Sequence, residues 1–257
     1  MAAASPEVPD GHTGDGGVDP DVEHEAWRQL LFWVGLADVV VAGALLVVAG
    51  RIYLPVALFV PLFLAGLVLL VRPGGVGPVT LGAASVLFVV VNLRLLVDDL
   101  AHPDTFVTFF PAAIGVVAGC VGAVGLAGFL RRWPVRATGR VGVVASALVL
   151  VALGVGLSAT FSVADDVPQE GDLALVAEAD EWAPDTLTAR EAGDIAVYVT
   201  NADLRRHTFT IDVLDVSVEL PADTSRRVAF TAPAGEYEFR SDVPGQTDMT
   251  GTLTVPG

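Results

Sequence analysis

Lysine is absent from this sequence: all 14 basic residues are arginine, set against 30 acidic residues and a formal net charge of −16. A surface so short of positive charge repels phosphate, and no arginine cluster sits on a nucleic-acid-binding motif, so nucleic acid is excluded as a partner. Cysteine is nearly absent too. Cys120 stands alone in an apolar run, which excludes a disulfide within the chain and leaves a small buried thiol as its expected state. The sequence also lacks a Ser-His-Asp order, a phosphate loop and a metalloprotease motif, so no enzyme is expected. Residues 1–26 lack apolar periodicity. They form an acidic tail rich in Ala, Gly, Pro, Asp and Glu, expected to be disordered, with His12 and His24 solvated and no signal-peptide pattern.

Charge is scarce in the middle of the chain, and that scarcity is informative. Hydrophobic residues make up 53% of the sequence and the mean hydropathy is +0.62, well above the balance of a soluble protein. Five apolar runs, 30–49, 52–71, 79–97, 106–130 and 141–163, each approach the roughly 20 residues that cross a ~30 Å hydrocarbon core as a helix. The third is the weakest, because it carries Asn92 and Arg94. With five spans, Arg28, Arg72, Arg131, Arg132, Arg136 and Arg140 fall on one side, which the positive-inside rule makes cytoplasmic. Residues 27–163 are thus expected to be a five-helix transmembrane domain of the cell membrane, with the N-terminus cytoplasmic and the C-terminal part outside. The lipid bilayer is its first partner. Gly115, Gly119, Gly122 and Gly125 predict close helix packing, within the bundle or between copies. Asp38, near the middle of the first span, is too costly to leave bare; Arg94, beside Asn92, is the expected charge partner. A proton or ion pathway through the same residues is the competing reading.

After a polar linker, residues 164–172, the pattern changes. Short β-rich runs at 173–177, 195–200, 207–211, 216–220, 228–231, 237–239 and 250–255 alternate with turn clusters such as Asn201-Ala202-Asp203 and Pro233-Ala234-Gly235. Many short strands at this spacing predict a β-sandwich over residues 173–257.

The closing stretch reads GEYEFRSDVPGQTDMTGTLTV, residues 235–255. Upstream stand Glu181-Trp182-Ala183-Pro184, then Gly193-Asp194, Asn201, Asp203 and His207-Thr208-Phe209. In order and spacing these motifs resemble the cupredoxin family, the blue-copper domains, over nearly all of the C-terminal domain and none of the membrane block. The resemblance implies an all-β, Greek-key sandwich, with His207 and Met249 at two of the family's copper-ligand positions. It also implies that Ser241 replaces the thiolate cysteine and Gln246 the second histidine. A blue-copper centre needs its thiolate, and a hydroxyl and an amide are weak, neutral substitutes. The expectation is therefore an extracytoplasmic cupredoxin-like domain with a degenerate type 1 copper site. It would hold no cofactor, or copper only weakly, and act as a non-catalytic binding or structural module for an extracytoplasmic protein. The alternative is a copper-binding or electron-transfer domain that keeps partial metal binding through His207 and Met249. An oxygen-rich cation site using Asp242 and Asp248 is a further, weaker reading.

Overall fold

The computed structural model describes residues 20–48, 52–72, 74–244 and 249–257. Positions 1–19, and with them His12, lie outside the described residues, as do Arg51, Gln246 and Asp248. Seven helices precede nine strands: α1 Pro20–Val48, α2 Leu54–Ala57, α3 Phe59–Leu70, α4 Val76–Val91, α5 Leu93–Ala101, α6 Phe106–Arg131 and α7 Arg136–Ser162. The expected tail is thus helical from Pro20. His24 lies inside α1 with its ring edge-on to Phe129, the centroids 4.9 Å apart, rather than in a solvated segment.

Five spans were expected; length and composition give fewer. Among the described residues, three helical stretches are long and apolar enough to cross a membrane: His24–Val48, Phe106–Arg131 and Arg136–Ser162. A fourth is reached only if α4 and α5, which meet at a 67° bend, count as one, while Leu54–Leu70 is shorter. The break falls at Asn92, whose side-chain amide donates to the Phe88 carbonyl at 3.0 Å. The third apolar run is therefore two helices pointing in different directions.

Small residues let these helices close on one another. A methyl group on Gly128 would lie 2.6 Å from the Trp27 ring, one on Gly122 2.7 Å from Ser85 Cβ, and one on Gly115 3.3 Å from Val41. The glycine row of α6 thus faces α1 and α4 of the same chain, with α1 antiparallel to α6. At one end of the bundle Arg28 donates to the Leu70 carbonyl at 2.5 Å and Trp27 to the Trp133 carbonyl at 2.9 Å. At the other end the Thr160 hydroxyl donates to the Asp104 carbonyl at 3.1 Å. Helix α7 is the loosely held one: Gly156 is its one buried residue, against Phe106 and Phe109. Cys120 is not a buried thiol. It is exposed on α6 and lines a 540 Å³ groove between α6 and α7 together with Val117, Val144 and Leu148.

The strands are β1 Leu173–Glu178, β2 Glu181–Ala183, β3 Thr186–Thr188, β4 Gly193–Asn201, β5 His207–Ile211, β6 Val216–Leu220, β7 Thr224–Ala232, β8 Gly235–Arg240 and β9 Thr250–Val255. They form two sheets, ordered β2-β1-β4-β7 and β3-β9-β8-β5-β6, with β1 parallel to β4, β3 parallel to β9 and every other pairing antiparallel. Alternation in β4 puts Ile195, Val197 and Val199 inside, against Trp182, Phe209, Phe239 and Leu253. Strands β2 and β3 were not anticipated; at three residues each they are too short to show a period of two.

The segment read as a polar linker lies along β7. The Asp166 N–H donates to the Ser225 carbonyl (3.1 Å), the Ser225 N–H to Asp165 Oδ1 (2.7 Å) and the Arg227 N–H to Asp166 Oδ2 (2.9 Å).

Candidate metal centre

His207 opens β5, Ser241 follows β8 and Met249 precedes β9. Since β8 lies between β9 and β5 in its sheet, the three positions fall at one end of the sandwich. Hydrogen bonds join them. The N–H of Thr208 donates to Ser241 Oγ at 3.2 Å, the Asp242 N–H to Thr208 Oγ1 at 2.7 Å, and the Ser241 N–H to the Met249 carbonyl at 3.0 Å. Trp182 Nε1–H also reaches the Met249 carbonyl, at 3.2 Å. All three side chains are buried, His207 completely. The backbone thus holds His207, Ser241 and Met249 together through contacts that need no ion. Gln246, the fourth expected member, lies outside the described residues.

His207 is met by Asp203, whose Oδ2 lies 2.8 Å from the ring Nε2 and accepts its N–H. Asp203 has further work. Its oxygens accept the N–H groups of Ala179 (2.7 Å) and Asp180 (3.0 Å), the two central residues of the β1–β2 turn. Both have positive φ, 57° and 60°, a conformation costly to residues with a Cβ, and the carboxylate helps hold the turn. Burial would raise the Asp203 carboxyl, but the Asp180 and Ala179 N–H groups and His207 outweigh it and hold it below the usual carboxylate range. Asn201 anchors the same loop. Its amide donates to the carbonyls of Arg205, Leu220 and Pro221 at 2.7, 2.9 and 2.9 Å, and its oxygen accepts the Asp203 N–H at 3.0 Å. The only sequence signal for this arrangement was the Asn201-x-Asp203 spacing ahead of His207.

Asp180, Asp203 and His207 bring one potential ligand atom each within 4.8 Å of one another. Their chemistry in the fold is that of an ion-pair cluster: Asp180 is met by Arg205 at 3.3 Å, and both Asp203 oxygens already accept backbone N–H groups. Asp242, once considered for an oxygen-rich site, pairs with Arg240 at 2.7 Å.

In the helical block the expected Asp38–Arg94 pair is not formed. Asp38 is fully buried and its Oδ2 accepts the Ser85 hydroxyl at 2.5 Å, whereas Arg94 is exposed on α5 beyond the bend. The bend at Asn92 turns α5 away, and Ser85 of α4 takes the partner's place. His102 is half-buried, with Nδ1 2.7 Å from the Asp98 carbonyl.

The two-sheet sandwich is matched by a family comparison. Residues 147–255 match the cupredoxin-like domain family, and the C-terminal part of the chain is a cupredoxin-like domain. Among solved structures, auracyanin from the photosynthetic bacterium Roseiflexus castenholzii is 17% identical, over 35% of this chain and 100% of its own, with a TM-score of 0.31. Amicyanin from Paracoccus versutus is 19% identical over 35% of this chain and 85% of its own (TM-score 0.29). The Cu-containing nitrite reductase of Thermus scotoductus is 19% identical over 37% of this chain and 25% of its own (TM-score 0.28). No curated protein is matched by the chain.

Proposed function

We propose that this protein is a multi-pass membrane protein that presents, on the extracytoplasmic side, a cupredoxin-like domain whose type 1 copper site is degenerate. The domain acts as a non-catalytic binding or structural module. The observation that carries this reading is Ser241. Its Oγ accepts the Thr208 N–H beside His207, while its backbone is tied to Met249, so the central donor of the cluster is a neutral hydroxyl. The chain's one cysteine is in α6, far along the sequence and outside the sandwich. His207, Ser241 and Met249 do not fit a copper centre that depends on a thiolate.

Five helical passes with the N-terminus cytoplasmic, two of them the shorter Leu54–Leu70 and Val76–Val91, remain the topology we favour. Arg28, Leu70, Arg72 and Trp133 meet at one end of the bundle through the hydrogen bonds of Arg28 and Trp27, which gathers the arginine-rich ends together. Helix α7 starts at that end and runs to the sandwich.

The test restores the missing donors in the full-length protein. Wild type is expected to stay colourless with Cu(II), for want of a thiolate to give intense charge-transfer absorption, and each of Ser241→Cys and Gln246→His alone is expected to stay colourless too. The double variant supplies thiolate and imidazole together with His207 and Met249, and is expected to turn blue. A blue wild type would overturn the degenerate-site reading in favour of a working copper domain. A folded, colourless double variant would show that the site's frame has been lost as well.

A further inference from the structure

The end of the sandwich that carries His207 meets the helical block at Arg206. Arg206, the residue before it, is buried and bridges two carboxylates on different parts of the molecule. Nη2 donates to Asp98 of α5 at 2.6 Å, and Nη1 donates to Glu219 of β6 at 2.8 Å. Glu219 stands opposite Thr208 in the β5–β6 register and lies 3.7 Å from His102, just past the end of α5. His102 in turn contacts the Asp98 carbonyl. A closed set of contacts, Asp98, Arg206, Glu219 and His102, thus joins the α5–α6 turn to the His207 end of the sandwich.

The 67° bend is what makes this contact possible. Continued straight, α4 would carry Asp98 onward along the bundle; turned at Asn92, α5 lies across the end of the bundle where Thr160 meets Asp104 and where the sandwich begins. Leu96 is buried on one side of α5 and Asp98 is offered to Arg206. The Arg206 side chain is only 8% exposed. For so buried a cation the loss of Asp98 removes one of its two carboxylate partners, which is costlier than breaking a surface pair.

We infer that α5 is the docking partner of the sandwich's His207 end, and that Asp98 and Arg206 form the latch. Docked, that end is held against the chain's own helical block at Arg206 and Glu219, and an extracytoplasmic protein must bind the sandwich on other faces or release the latch first. The inference rests on the two parts lying on the same side of the bundle, and it holds whether or not the site takes copper.

Amide exchange on the full-length protein in lipid nanodiscs tests it. In wild type, residues 98–105 and 205–208 are expected to be protected together. Asp98→Arg or Arg206→Asp is expected to speed exchange in both segments by on the order of tenfold or more, with the β4 core amides of Val197 and Val199 unchanged. The double charge swap, Asp98→Arg with Arg206→Asp, is expected to restore protection in both. Where Arg206→Asp disturbs β4, Asp98→Asn reads the same contact from the helical side. The proposal is overturned if wild type exchanges in these segments as fast as Asp98→Arg, or if Asp98→Arg alters one segment and leaves the other as it was. Neither result bears on whether the restored copper ligands give a blue protein.

Discussion

Asn201 in the sandwich and Asp38 in the helical block are both buried to within 1% of full exclusion, yet their surroundings differ. Asn201 spends its amide on three loop carbonyls and its oxygen on a loop N–H. Asp38 has the Ser85 hydroxyl on one oxygen, and its Oδ1 has no partner among the described residues. Helices commit their N–H groups to their own ladder, so a carboxylate between them has few backbone donors and depends on another side chain. The loops at the end of a sandwich have backbone groups to spare. Buried polarity is therefore cheap to satisfy at the His207 end and expensive in the bundle, which is a physical reason for a candidate site to sit where it does.

Substitutions can sharpen or break this contrast. The largest effect is expected for Asn201→Ala, which strips partners from three carbonyls around a buried loop. A loss of roughly 3 kcal/mol or more in sandwich stability is expected. Urea titration of the full-length protein, followed by exchange of the β4 amides, measures it; a loss below about 1 kcal/mol would mean that the loop groups find water and that the contrast is weaker than drawn.

Asp203→Asn comes next, at roughly 1–2 kcal/mol, since it weakens the acceptors for Ala179, Asp180 and His207. Its signature is in the pH dependence. The Asp203 carboxyl titrates below its unfolded value of about 3.9, so its stabilisation is complete above that range and is lost as pH falls through the folded value. Wild type is expected to lose stability below about pH 4 more steeply than the variant. Equal acid slopes would remove Asp203 from the site's support.

The smallest effect is expected for Asp38→Asn. The amide can keep a hydrogen bond to Ser85, no charge partner is stranded, and a change within about 1 kcal/mol in helical-block stability is expected. Thermal inactivation in detergent tests it. A loss of several kcal/mol would restore the idea of a paired charge at Asp38.

The outcomes already visible divide along the same line. Alternation exposed the inner face of β4, and the order of motifs brought His207, Ser241 and Met249 to one end, because residue spacing encodes both. The β1–β2 turn held by Asp203 was not legible, since it depends on two positive-φ residues 23 and 24 positions away along the chain. Charge logic chose Arg94 for Asp38 because hydropathy records how apolar a segment is and not where it points. The bend at Asn92 set Arg94 apart and left Ser85, an unremarked hydroxyl, as the partner.

The strip of chain between α7 and β1 has a consequence for crowding. Strand β7 ends its sheet, and the outer side of such a strand is a template on which a strand of another molecule can pair. Asp165 and Asp166 cover part of that template with carboxylates and a backbone N–H, taking up Ser225 and Arg227 before a neighbour can. Because the strip leads directly out of α7, this cover travels with every copy. Copies brought side by side in one bilayer are thereby denied edge-to-edge sheet growth along this stretch, and the acidic strip adds repulsion between like surfaces.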